Sequence, residues 1–344
     1  MKEESQSSEA VRIFSQIDTL VKNAKIEENK KMMKQNFLIL FALMLAMMIA
    51  ACKKEDEQLT PSGIDDTYKV PQGDDAFDQT IVKYYNSYVT YMLYKFSEKD
   101  VYWTPTGWKK PVLTNGLWSS GAEVEAADPA YITAQLALIK SKWFDFYTDK
   151  FLKQYLPVKI MLCKKVDSVY NTYVFVPTFT AVKATKKVAA FYNYDNIQVN
   201  YGDATVNSMT AAEQRAFIYK TNLIFMQSIF ARGLCAPTSE FASSADYMSA
   251  VSTLAQAYSR GIIMGTANIS AQLDWNAYIT AMVTYSTPQL NASVKNTDST
   301  PAGMLNATKD TSGQIRRRYN IVRNYFINEY GVDLQVIGNA TRGL

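Results

Sequence analysis

The sequence predicts an α+β fold in one domain over residues 76–344. Three observations lead there. Apolar periodicity gives a helix, then a group of strands, then further helices, and this segregated order is that of α+β chains rather than of alternating βαβ units. No segment repeats itself at a period of about 20–50 residues, which removes solenoids and propellers. A chain of 344 residues that is 48% hydrophobic and 13% aromatic has the material for one sizeable core.

The N-terminal part reads as leader and tether. Lys30, Lys31 and Lys34 make a basic n-region, Phe37 to Ala51 is an unbroken apolar run of fifteen residues, and Ile49-Ala50-Ala51-Cys52 closes it with an aliphatic residue, two small residues and a cysteine. Fifteen residues fall short of the about 20 that span a bilayer as a helix, and the small-small-Cys ending is that of a lipoprotein signal peptide. The expectation is a signal peptide over 32–51 and a lipid on Cys52, which attaches the protein to a membrane. Residues 1–31 have no place before an n-region, so the true start is expected at Met32 or Met33, with 1–31 a mis-assigned upstream extension. The run Lys53-Lys54-Glu55-Asp56-Glu57 opens a flexible tether over 52–75, broken by Pro61, Gly63, Pro71 and Gly73.

The body follows in order. Asp75 is placed to cap a helix over 76–87. Tyr88 to Phe96 alternates aromatic residues and predicts a strand. Residues 103–127 hold Trp103, Trp108 and Trp118 among Pro and Gly, which predicts a long loop. Asp128-Pro129 opens a helix that runs to Tyr155 with an apolar stripe of Leu136, Ile139, Trp143, Phe146 and Phe151, and Pro157 stops it. Val158 to Cys163 predicts a buried strand, and Val174 to Phe179 and Val188 to Val199 two more. Ser208 or Thr210 caps a helix over 210–231 that Gly233 ends. Helices over 244–260 and 271–286, a polar loop over 287–313, and a basic amphipathic helix over Gln314 to Tyr330, closed by Gly331, complete the chain.

Composition narrows the chemistry. The chain has no histidine, which excludes Ser-His-Asp and Cys-His catalysis and any zinc site that needs imidazole. A formal net charge of +4 is too balanced for nucleic-acid binding. Besides Cys52 there are Cys163 and Cys235. One pair makes no disulfide framework, and both are expected as buried free thiols.

The order and spacing of several short pieces resembles the zinc-binding metallopeptidase lipoproteins of Bacteroidetes, also called substrate import-associated zinc metallohydrolase lipoproteins. The pieces are Phe77-Asp78, Tyr155-Leu156-Pro157-Val158-Lys159-Ile160, Tyr219-Lys220-Thr221, Pro237-Thr238-Ser239-Glu240-Phe241 with Asp246-Tyr247, and Ile321-Val322-Arg323-Asn324-Tyr325 leading to Val332-Asp333-Leu334. The charged run after Cys52 is similar to signals that send lipoproteins of that phylum to the outer face of the outer membrane. The resemblance implies a zincin-like fold, with a small mixed sheet and several helices. It also implies a place beside outer-membrane nutrient importers, with TonB-dependent transporters and SusD-like proteins as partners. In that family a central helix carries His-Glu-x-x-His, where residues i and i+4 share one helical face and one zinc ion, and the intervening glutamate serves as general base.

That motif is lost here. The best register places it on Ile224-Phe225-Met226-Gln227-Ser228, so Ile224 and Ser228 replace the ligands and Phe225 replaces the base. A shift of two residues would leave Gln227 in place of the glutamate. The later acidic stretch falls on Gln272 to Ala277, where Asp274 is the acid that remains and Ala277 ends it. No cofactor is therefore expected, although zinc is expected for the family. Ser228 reads as a helix serine bonded to a preceding carbonyl rather than as a nucleophile paired with Lys220. Arg316-Arg317-Arg318 reads as a solvated helix face. Trp103, Trp108 and Trp118 are expected to pack beneath their loop, with exposed rings able to stack on sugars as the alternative. The functional expectation is an inactive metallopeptidase homologue that binds or scaffolds at the envelope. The rival is a hydrolase that uses carboxylates outside the lost site, such as Glu123 and Glu125.

Overall fold

The sheet is arranged around one long strand, β7 (Lys159–Val174), in a computed structural model that describes residues 68–344. The leader, Cys52 and the tether as far as residue 67 lie outside the described residues. In chain order, α1 (Asp78–Tyr88), β1 (Tyr91–Leu93) and α2 (Glu98–Tyr102) come first. They are followed by the short strands β2 (Trp103–Thr104), β3 (Gly107–Trp108), β4 (Leu113–Thr114) and β5 (Leu117–Trp118), and by β6 (Gly121–Ala126). Next come α3 (Ile132–Lys142), α4 (Asp149–Tyr155), β7, β8 (Thr180–Lys187), β9 (Ala190–Asn193) and β10 (Asn196–Val199). The C-terminal part holds α5 (Ala211–Ala231), α6 (Ser239–Ser243), α7 (Leu254–Ser259), α8 (Ala271–Thr284), α9 (Thr287–Leu290), α10 (Gln314–Tyr330) and α11 (Leu334–Ala340).

The first five residues of β7 are buried on both faces. Parallel neighbours explain this: Met92 of β1 and Ile197 of β10 both align with Ile160. Successive side chains then serve two cores. Ile160 and Leu162 join the large helical core, whereas Met161 and Cys163 face a smaller one with Leu93, Val101 and Ala122. β9 adds antiparallel to β10. Beyond Cys163, β7 pairs antiparallel with β6 and β8, so the six-stranded sheet is mixed and the fold is α+β, as the segment order predicts. α5 lies against β9, α8 and α11, which makes it the central helix. Among the described residues no helix is long and apolar enough to cross a membrane.

Several elements differ from the sequence expectation, each for a local reason. Asp75 does not cap α1; its own N–H donates to Asp78 Oδ2 at 3.1 Å, and the N-cap is Phe77. Residues 68–75, assigned to the tether, are held: Tyr68 donates to Asp100 at 2.8 Å, and the Gln72 amide oxygen accepts from the N–H of Tyr94 at 2.9 Å. The predicted 103–127 loop contains two small hairpins and β6. The expected helix over 128–155 breaks at Trp143, where burial against Phe144 and Phe225 turns the chain, and α4 restarts on a Thr148 cap. Val174 to Phe179 is the tip of the β7–β8 hairpin rather than a strand; Phe175 is 72% and Val176 80% exposed, and Pro177 cannot donate to a ladder. The strand is the Lys- and Thr-rich β8, which has no core face. The expected helix over 244–260 shrinks to α7, because the Asp246 side chain captures the N–H groups of Met248 and Ser249 in a turn.

Candidate functional site

α5 starts and stops where its end signals say. Thr210 and Glu213 form a capping box, with the Thr210 N–H donating to Glu213 at 2.8 Å, and Gly233 follows the helix at φ +66°. Ala216, Lys220, Ile224 and Ser228 recur every fourth residue, and the row winds from exposed at Ala216 to buried at Ile224 and Ser228. From Ile224 onward that row is core: Ile224 is 5% exposed, and Phe225 and Ser228 are fully buried. The Phe225 ring sits edge-on to Trp143, Tyr147 and Phe151 at centroid distances of 5.3, 5.2 and 6.0 Å. Ser228 Oγ donates to the Phe225 carbonyl at 2.7 Å and accepts from Arg232 at 3.3 Å. Its hydroxyl is thus bonded to a preceding carbonyl, as expected for a helix serine. In the shifted register Met226 is buried and Gln227 points to solvent, so that alignment offers no inward donor either.

A tetrahedral zinc site needs three or four N, S or carboxylate ligands. Ile224, Phe225 and Ser228 supply one hydroxyl between them, already engaged, so these residues do not fit the metal. Among the described residues no three His, Cys, Asp or Glu side chains lie grouped to hold an ion.

Asp274, on the first turn of α8, keeps its charge chemistry but turns it inward. Arg318 on α10 donates to Asp274 Oδ2 at 2.8 Å, and both side chains are fully buried. The Asp274 carboxylate also accepts from the N–H groups of Ile263 and Met264 at 2.8 and 3.1 Å and from the Tyr247 hydroxyl at 3.0 Å. Burial pushes its carboxyl above the usual value; Arg318 and these donors pull the other way. Arg318 also reaches the Phe241 carbonyl at 3.0 Å and lies 3.8 Å over the Phe241 ring. Arg318 is therefore not part of a solvated arginine face: it occupies the apolar stripe of α10 beside Ile315, Tyr319 and Val322. Ala277, one turn beyond Asp274, is half-buried. No hydrogen bond or ion pair joins Ser228 to Asp274 among the described residues; each is bonded to other partners.

The remaining candidates separate. Trp103 and Trp108 pair across the β2–β3 hairpin and each is 49% exposed, which corrects the expectation that they pack beneath a loop. Trp118 is half-buried on the β4–β5 hairpin, with Lys183 Nζ 4.6 Å over its ring. Asn115-Gly116, at φ +52° and +78°, makes the turn of that hairpin, and this dipeptide was the available signal for it. Glu123 pairs with Lys183, and Glu125 with Lys165 and Lys164. The Lys165 hydrogen bond holds the Glu125 carboxyl below its ordinary value, the opposite of what a general acid needs. Cys163 and Cys235 are buried and free. Burial pushes the Cys235 thiol up to about 11, and its sulfur accepts from the Trp275 indole N–H at 3.2 Å.

Comparison with known proteins bears on these positions. No curated protein matches the chain. Among solved structures, the chain is similar to a protein from Bacteroides caccae titled a putative zinc-binding metallo-peptidase, at 12% identity and a TM-score of 0.41, covering 77% of this chain and 90% of that one. The sequence profile of the family described as "Putative zinc-binding metallo-peptidase" matches residues 119–335, which include α5, α8 and the buried positions Ile224, Phe225, Ser228 and Asp274. The match covers more than half of the chain, and the chain belongs to that family.

Proposed function

We propose that this protein is a catalytically silent member of its family that binds or scaffolds at the cell envelope. The observation that carries the reading is the face of α5 at Ile224, Phe225 and Ser228, where metal ligands and a base would stand and where packed core stands instead. Elemental analysis of the purified chain is expected to give substoichiometric zinc, with no chelator-sensitive peptidase activity. Stoichiometric zinc, or peptidase activity that a chelator abolishes, would overturn the reading.

The proposed anchor is a lipid on Cys52 at the outer membrane, facing the cell surface, and the proposed partners are TonB-dependent transporters and SusD-like proteins of nutrient import. The lipobox and the charged run after it support the anchor. Fatty-acid labelling of the wild type and of Cys52→Ala tests it: label on the wild type and none on the variant is expected. Equal label on both would rule the anchor out.

A further inference from the structure

A cleft of about 560 Å³ runs along α10, but a smaller one of about 470 Å³ has the stronger chemistry. Its floor is one face of the β7–β8 ribbon, where Ser168 and Lys186 are register partners and Tyr170 follows two residues on. Its wall is α5, through Ala216, Tyr219 and Lys220, and Lys187 and Tyr201 close it. Lys220 stands one turn before Ile224 on α5, so the cleft lies N-terminal to the packed positions Ile224 and Ser228.

Three lysines line the cleft, and no carboxylate residue does. Among the described residues Lys186, Lys187 and Lys220 form no ion pair; Lys187 lies 4.4 Å over the Tyr201 ring and 3.5 Å from Thr205 Oγ1. The acids on the neighbouring elements have partners of their own, although Glu213 also lies within Coulombic reach of Lys187. Glu213 closes the α5 capping box, Asp203 caps the turn at Thr205, and Asp167, which faces Lys187 across the ladder, lies 4.0 Å from Lys165. Lys220 is half-buried, and burial with the charge of Lys186 lowers its pKa. Like charges held together in a partly desolvated cleft repel, and an anion between them removes that cost.

We propose that this cleft binds an acidic oligosaccharide, whose anionic groups pair with Lys186, Lys187 and Lys220 and whose rings lie on Tyr170 and Tyr219. The two tyrosines are 43% and 37% exposed. An extended peptide would need backbone partners, and the main chain of the lining is already used. The Val188 N–H donates to the Val166 carbonyl at 3.0 Å, and the Val188 and Ala189 carbonyls accept from Asn200 at 2.9 Å each. Recognition therefore falls to side chains. The inference deepens the binding role by naming its ligand class, and the two fail separately: zinc content tests the silent site, and ligand binding tests the cleft.

The experiment is calorimetric titration of the purified full-length chain with tetragalacturonate, its methyl ester and tetraglutamate. Tetragalacturonate is expected to bind, less tightly as salt is raised, and the neutral ester not to bind. Lys220→Met is expected to weaken binding about tenfold or more without lowering the melting temperature, because it removes a repelled charge. Lys186→Ser, at an exposed position, is expected to weaken it without touching the fold. No binding of tetragalacturonate, equal binding of its ester or of tetraglutamate, or affinity unchanged in both variants would overturn the proposal.

Discussion

The α5 face at Ile224–Ser228 and the α8–α10 contact at Asp274–Arg318 are both buried regions within the matched stretch of the family, and they handle polarity in opposite ways. On α5 Ile224 and Phe225 are apolar, the Ser228 hydroxyl is bonded to a helix carbonyl, and Phe225 is held by three aromatic rings. Between α8 and α10 the acid remains and a fully buried arginine neutralises it. The contrast teaches that a buried position without a metal-ligand set need not be a position without charge. A buried carboxylate persists once a cation and several N–H and O–H donors surround it. In both regions the Ser228 hydroxyl and the Asp274 carboxylate are hydrogen-bonded within the protein.

The comparison can be broken most severely by restoring the motif. Ile224→His, Phe225→Glu and Ser228→His together would place two imidazoles and a carboxylate in packed core, with an expected loss above about 5 kcal/mol in urea unfolding and no rescue by zinc. A folded triple variant that binds zinc would mean the metal cleft is still intact. Next comes Arg318→Met, which strands Asp274 and is expected to cost about 3–5 kcal/mol; adding Asp274→Leu should recover much of it. If the double variant is as unstable as the single, the pair's worth lies in packing rather than in charge.

Phe225→Ala is expected to cost about 3–5 kcal/mol by opening a cavity among Trp143, Tyr147 and Phe151, and a near-neutral result would show that this face is not core. Ser228→Ala should cost about 1 kcal/mol, the scale of one internal hydrogen bond. The smallest effect sharpens the contrast between buried and exposed pairs on α10. Arg323 donates to Asp333 at 2.9 Å with both side chains partly exposed, and this contact holds the Asp333 carboxyl below its usual value. A depressed folded-state pKa gives stability that is present above the unfolded value, about 3.9, and is lost as pH falls through the folded one. Arg323→Ala should cost at most about 1 kcal/mol at neutral pH, and the difference from wild type should vanish in strong acid. A difference that grows on acidification would have the wrong sign for this pair.

Much of the frame is legible in the sequence because it is written in local chemistry. Thr210 with Glu213 marks the start of α5, Gly233 its end, Gly331 the end of α10, and Pro157 the boundary before β7. The lack of imidazole on α5 is legible too, since the chain has no histidine. What sequence reasoning missed depends on tertiary context. Three consecutive arginines look alike in a list, yet only Arg318 stands three residues after Ile315 and four before Val322, inside the buried stripe. Val174 to Phe179 is apolar enough for a core strand, but nothing local says that it tips a hairpin whose partner strand is solvated. The lysine cleft joins residues more than thirty positions apart, and no spacing rule brings Lys186 to Lys220.

The most direct test of the central claim is the zinc content of the purified native chain, measured by elemental analysis after dialysis against zinc and then buffer. The α5 face described here predicts substoichiometric zinc that Phe225→Ala does not raise. One tightly held zinc per chain would contradict it.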